Sequence, residues 1–151
     1  MKLAFNILKL LRPRQWIKNL AVFAAITFSG ELFNPQVLDK VIIAFIVLCG
    51  LSSATYIIND FFDIKSDRLH PFKKFRPLAN KNIPMGLAIL IAVILAVGSL
   101  YLGLKYVTPT FFIIIVIYLL LQFFYSLFLK AVAVADILAI AAGYILRVYA
   151  G

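Results

Sequence analysis

The chain has 151 residues, of which 64% are hydrophobic and only 14% charged, with 15 Lys and Arg against 6 Asp and Glu. Soluble domains carry about 45–50% apolar and about 25% charged residues, so this composition excludes an ordinary water-soluble domain and calls for lipid as a second solvent. The formal charge of +9 is broken up by apolar runs rather than gathered on one soluble face, which argues against nucleic-acid binding, and the lone Cys49 excludes an internal disulfide framework or a cysteine zinc site.

In chain order, the basic segment 1–18 carries Lys2, Lys9, Arg12, Arg14 and Lys18 and no acid. A first span is expected over 17–33, with Lys18 and Glu31 near its ends, and Trp16 is expected to anchor at the membrane interface. Asn34-Pro35 breaks the chain before a second, uncharged span over 41–58. Cys49 reads there as a packing residue, and Gly50, Ser52, Ser53 and Ala54 allow close helix approach. The connection 59–82 is rich in charge. Third, fourth and fifth spans are expected over 83–104, 106–129 and 131–151, with Pro84 and Thr108-Pro109 at the turns. Many of these runs are rich in Ile, Val and Phe. In lipid every backbone polar group must bond internally, so the runs are predicted to be helices. The expectation is an all-α, polytopic transmembrane helix bundle, with residues 1–151 as a single domain. Most Lys and Arg fall in 1–18, in 59–82 and at Lys130, against Lys40 and Lys105 on the other side. By the positive-inside rule the N-terminus and the 59–82 segment face the cytoplasm of a plasma (inner) membrane protein.

The chemistry concentrates in 59–82. No helix breaker occurs until Pro71, so the second helix is expected to continue through Asp67. Asp60, Asp63 and Asp67 then have the i, i+3, i+7 spacing of one helix face, with Asn59 at its edge. Like charges so placed repel one another, and a divalent cation removes that cost. Carboxylates and an amide oxygen are hard ligands that suit magnesium, which takes its remaining ligands from water and substrate phosphates. Asn59, Asp60, Asp63 and Asp67 are therefore the candidate metal ligands, and the three aspartates the candidate catalytic residues. Lys73 and Arg76 flank this face. Arg76 can bind phosphate oxygens in bidentate fashion, so acid, metal and cation together suit a diphosphate leaving group. Arg14 and Lys18 form a candidate second phosphate clamp. His70, before Pro71, is expected to position the loop or donate to phosphate rather than act as general base.

The run Asn59-Asp60-x-x-Asp63-x-x-x-Asp67 resembles the first aspartate-rich motif of the UbiA-type intramembrane prenyltransferase superfamily, and lies between the second and third spans as that motif does. Leu11-Arg12-Pro13-Arg14-Gln15-Trp16, His70-Pro71, Arg76-Pro77, Tyr125-Ser126 and Gly143-Tyr144-Ile145-Leu146-Arg147 are similar to the decaprenyl-phosphate phosphoribosyltransferase branch. The resemblance implies a bundle of about nine helices, of which this chain supplies the N-terminal half. It implies magnesium-dependent transfer of a phosphoribosyl group from 5-phosphoribosyl diphosphate to a polyprenyl phosphate such as decaprenyl phosphate, a step in making cell-wall precursors. The alternative within the superfamily moves a polyprenyl group from its diphosphate to an aromatic acceptor. Outside it stand a non-enzymatic transport or structural protein and an inactive truncated remnant. The superfamily's second acidic motif lies beyond this sequence, so a C-terminal half or an oligomer partner is expected to complete the bundle, and the isolated chain is expected to be inactive.

Two further charges lie in the fifth span. Asp136 reads either as a boundary charge or as a residue facing the site, and Arg147 is expected to snorkel. Eleven positions apart, they cannot pair directly.

Overall fold

The computed structural model describes residues 2–128 and 132–151. Lys130 and the adjoining ends of the fourth and fifth expected spans lie outside them. The described residues form seven α-helices joined by short 3-10 turns, with no strand among them, so the all-α expectation holds despite the Ile, Val and Phe content.

Helix α1 (Lys2–Leu11) ends at Arg12, whose backbone is left-handed (φ 53°, ψ 58°), a conformation uncommon outside glycine. A 3-10 helix, Pro13–Val22, follows and winds directly into α2 (Phe23–Phe28). The first expected span is therefore not one regular α-helix. A 3-10 helix rises about 2.0 Å per residue, so these 16 residues reach about 29 Å, close to the hydrocarbon thickness. Trp16, half-buried, lies on the part of this 3-10 helix that packs against the next helix, and its indole N–H donates to Ser53 Oγ at 2.9 Å.

Helix α3 (Pro35–Phe62) is the centre of the fold. Asn34 Oδ1 caps it by accepting the Gln36 N–H at 3.2 Å, and Pro35 opens its first turn. Its 28 residues span about 42 Å, more than the hydrocarbon core, a length that tilt or projection into the headgroup layers accommodates. The helix was expected to run unbroken through Asp67. Instead it bends at Asp63 (φ −90°, ψ 2°) and resumes as α4 (Ile64–Leu69). The ladder itself persists across the bend, since Asp63 N–H donates to Asn59 C=O at 3.0 Å and Asp67 N–H to Asp63 C=O at 2.8 Å, and the Ser66 hydroxyl shares that carbonyl at 2.9 Å.

Helices α5 (Met85–Tyr106), α6 (Pro109–Leu127) and α7 (Ala133–Tyr149) complete the bundle. Thr108 Oγ1 caps α6 by accepting the Phe111 N–H at 3.1 Å. Among the described residues α3, α5 and α6 are long and apolar enough to cross a membrane, and α7 has 17 residues. The closest packing is α3 on α5. A Cβ on Gly50 would collide with Ser99 Oγ, so glycine is what lets the two backbones approach.

Two apolar cores lie along α3. One gathers Val47, Leu48 and Leu51 with Val22, Ile115 and Tyr118. The other gathers Ala54 and Ile57 with Leu10, Leu78, Ile83 and Ala88, and so pins the 70–84 loop onto the motif end of α3. Between them runs a polar layer of Cys49, Ser52 and Ser53 facing the buried Asn19, whose Nδ2 donates to Ser52 Oγ at 3.2 Å.

Candidate functional site

Asp60 and Asp67 are both buried at the motif end of α3 and α4. Burial of two carboxylates requires partners, and arginines from two other segments supply them. Arg12, just past the end of α1, donates from Nη2 to Asp60 Oδ1 at 2.5 Å. Arg76, from the loop, donates from Nη1 to Asp60 Oδ1 at 3.1 Å and to Asp67 Oδ2 at 2.7 Å. The loop is held in place for this by Arg68 Nε, which donates to Ala79 C=O at 3.1 Å, and by Lys9 Nζ, which donates to Phe75 C=O at 3.0 Å.

Asp63 stands at the bend, half-buried, and accepts from Asn59 Nδ2 at 3.2 Å. Asp60 and Asp67 meet at Arg76, whereas Asp63 bonds Asn59, so the three aspartates do not gather at one point. Among the described residues no three acidic, His or Cys side chains come together as a ready metal cage. Two buried carboxylates tied to one arginine, with an amide beside them, still fit magnesium, which needs only one or two protein carboxylates when phosphate completes its shell.

The other predicted residues divide. Lys73 and Arg14 are exposed. His70 Nδ1 accepts the backbone N–H groups of Phe72 and Lys73 at 3.2 and 3.3 Å, so its ring shapes the loop. Lys18 lines a partly open cavity of about 290 Å³ bordered by the 3-10 helix, α3, α6 and α7. Arg12 lines the same cavity while bonding Asp60, and thus forms a wall common to the acid cluster and the cavity.

Sequence reasoning missed most of this cavity. Tyr56, Gln122, Tyr125 and Arg147 also line it. Arg147 does not snorkel. It is 6% exposed and donates to Asn19 Oδ1 at 2.8 Å, Gly143 C=O at 2.8 Å and Tyr118 Oη at 3.1 Å. These acceptors stand within the bundle, so the guanidinium has no need to reach a headgroup. Asp136 accepts the Tyr125 hydroxyl at 2.8 Å, holding that ring at the cavity wall, and no ion pair joins Asp136 to Arg147. A signal was present in the sequence: Tyr118, Gln122 and Tyr125 fall at i, i+4, i+7 in a largely apolar helix.

Comparisons with known proteins place the chain in a family. A family model described as the UbiA prenyltransferase family matches residues 20–151. The chain is 40% identical over 153 residues to decaprenyl-phosphate phosphoribosyltransferase of Mycobacterium tuberculosis, covering 99% of this chain and 50% of that protein. It is 39% identical over 154 residues to the protein of the same name in Corynebacterium glutamicum, covering 99% of this chain and 46% of that one. Digeranylgeranylglyceryl phosphate synthase of Methanococcus maripaludis is 31% identical over 99 residues, or 61% of this chain and 34% of that protein. The chain thus spans about half the length of the phosphoribosyltransferases it matches. With the match extending over nearly its whole sequence, the chain belongs to the UbiA prenyltransferase family.

Proposed function

We propose that this chain supplies the donor-binding half of a magnesium-dependent membrane transferase. The reaction moves a phosphoribosyl group from 5-phosphoribosyl diphosphate to a polyprenyl phosphate, decaprenyl phosphate in the relatives' name, and releases diphosphate. The observation that carries this reading is Arg12, which bonds Asp60 on one side and lines a cationic cavity on the other. A donor with phosphate at both ends and an acceptor that is itself a phosphate together need an acid-and-metal site beside further cations.

Magnesium held by Asp60 and Asp67, with Asn59 and Asp63 beside them, would neutralise charge on the departing diphosphate. Arg76 and Arg12, already at those carboxylates, stand within reach of the same diphosphate oxygens. The C1–oxygen bond to diphosphate breaks as an oxygen of the lipid phosphate bonds to C1. That oxygen is already anionic, so no side chain need remove a proton. This agrees with His70 being engaged by backbone N–H groups. The positive-inside pattern puts the acid cluster at the cytoplasmic face of the plasma membrane, where a water-soluble donor reaches it. A second half-bundle, from the same or another chain, completes the enclosure.

Prenyl transfer from a polyprenyl diphosphate to an aromatic acceptor is the second reading. A wholly apolar cleft of about 280 Å³ beside Ile57, Phe61 and Ala92, next to the motif, gives a prenyl chain somewhere to lie.

The test uses membranes containing the chain together with the second half of the Mycolicibacterium smegmatis relative. Labelled 5-phosphoribosyl diphosphate and a polyprenyl phosphate should give labelled lipid only with magnesium, and not in Asp67→Asn. Product from a polyprenyl diphosphate and an aromatic acid instead would transfer the assignment to the second reading.

A further inference from the structure

Arg147 carries a full positive charge, is 6% exposed, and has no acidic partner among the described residues, where the ion pairs run only from Arg12 and Arg76. Its three hydrogen bonds go to neutral oxygens of Asn19, Gly143 and Tyr118, which satisfy its N–H groups without cancelling its charge. A buried, uncompensated cation is costly, and an ionisable group within a membrane bundle marks a functional position.

The surroundings show what would compensate it. Arginine has five N–H donors. Three are used, which leaves one on each terminal nitrogen. The guanidinium is flanked by the rings of Tyr118 and Tyr144, at 5.0 and 5.5 Å from their centroids, so its orientation is fixed before any ligand arrives. The cavity it lines also presents Lys18 and neutral hydrogen-bonding groups from Gln15, Tyr56 and Gln122, and among the described residues no Asp or Glu lines it. With Arg12 engaged by Asp60, Arg147 and Lys18 leave a charge of about +2. A phosphate monoester carries about −1.5 to −2 at neutral pH.

We infer that this cavity is a phosphate-monoester site in which Arg147 and Lys18 are the charged ligands, separate from the acid cluster and joined to it by Arg12. The inference rests on the transferase reading only for its two possible sources, because both the lipid acceptor and the sugar donor carry such a group. Asn19 and Tyr118 act as positioning residues for the guanidinium.

The experiment is done without metal, so that it succeeds or fails independently of magnesium-dependent transfer. The full chain in detergent, with a chelator present, is titrated with farnesyl phosphate, ribose 5-phosphate, and farnesol as the uncharged control, and the thermal unfolding midpoint is followed. A phosphate monoester should raise the midpoint and farnesol should not. Arg147→Met should weaken half-saturation by about 10-fold or more, the effect of losing a charged hydrogen-bonding partner. Lys18→Met, nearer the surface and without buried bonds to lose, should weaken it by a smaller factor and keeps the test valid if Arg147→Met fails to fold. A response to farnesyl phosphate alone assigns the site to the lipid, and to ribose 5-phosphate alone to the donor. No midpoint shift with either, or equal half-saturation in the native chain and both variants, would overturn the inference.

Discussion

Asp60 and Asp67, seven positions apart in sequence, share a single guanidinium nitrogen, Nη1 of Arg76, at 3.1 and 2.7 Å. Both carboxylates are buried, and Asp67 has no other ion pair among the described residues. Removing one partner of a buried pair leaves the other charge uncompensated, which costs about 3–5 kcal/mol. Arg76→Met should therefore lower the unfolding midpoint sharply, while Arg76→Met with Asp67→Asn should recover part of the loss. A midpoint unchanged in Arg76→Met would mean that the loop does not hold these carboxylates.

In the completed enzyme Asp60→Asn and Asp67→Asn should each reduce transfer by at least about 10²-fold, the scale seen when a charge-stabilising group is removed. Chelating magnesium should abolish turnover of the native protein, and returning it should restore turnover. Asp63 stands at the bend and bonds Asn59, so Asp63→Asn tests whether the third aspartate shares the role. Activity retained in Asp63→Asn but lost in the other two would make it a structural residue of the bend.

His70→Asn should leave the pH dependence of the rate unchanged. His70 Nδ1 accepts two backbone N–H groups, and an asparagine side-chain oxygen can replace it as acceptor. His70→Ala should raise KM more than it lowers kcat by loosening the loop. Loss of one limb of the pH–rate profile in both variants would instead assign His70 a proton-transfer role.

Gly50→Leu should destabilise the chain by about 1–3 kcal/mol through overpacking against α5. Gly50→Ala should cost far less, because the atom it meets is the Ser99 hydroxyl, which can rotate away. Equal effects from the two substitutions would contradict the close α3–α5 approach.

The protein's one tryptophan offers an optical check. Ser53 Oγ accepts from Trp16 and donates to Leu11 C=O at 2.8 Å. Ser53→Ala leaves both groups without that partner and should cost about 1–3 kcal/mol, together with a shift in Trp16 emission. An unaltered emission spectrum would mean that this hydrogen bond does not set the indole's surroundings.

Much of this architecture was legible in the sequence, because lipid leaves apolar runs one choice of backbone. The acidic motif was legible because its residue types and spacing belong to the α-helix. The bend at Asp63 was not. It accompanies a Ser66 hydroxyl returned to the Asp63 carbonyl, a side-chain-to-backbone bond that helical periodicity does not express. Arg147 was misread for a related reason: a lone arginine near the end of an apolar run looks the same whether it reaches for headgroups or turns inward. Only the packing of α6, α7 and the 3-10 helix puts Tyr118 and Asn19 beside it. Arg14 and Lys18 looked equivalent in sequence, yet four residues of 3-10 helix, about one and a third turns, put them on different faces, one exposed and one at a cavity wall.

The bond between Arg147 and Asn19 joins positions 128 residues apart. Synthesis proceeds at about 5–20 residues per second, so Asn19 is made roughly 6–25 s before the group that completes its hydrogen bonding. During that interval the first segment holds a buried-type amide without its arginine, and the 3-10 stretch has no α7 to rest on. Asn19 Nδ2 can meet Ser52 on α3 well before that, but its Oδ1 has this partner only once α7 has been made, so the last bond of the polar layer closes late.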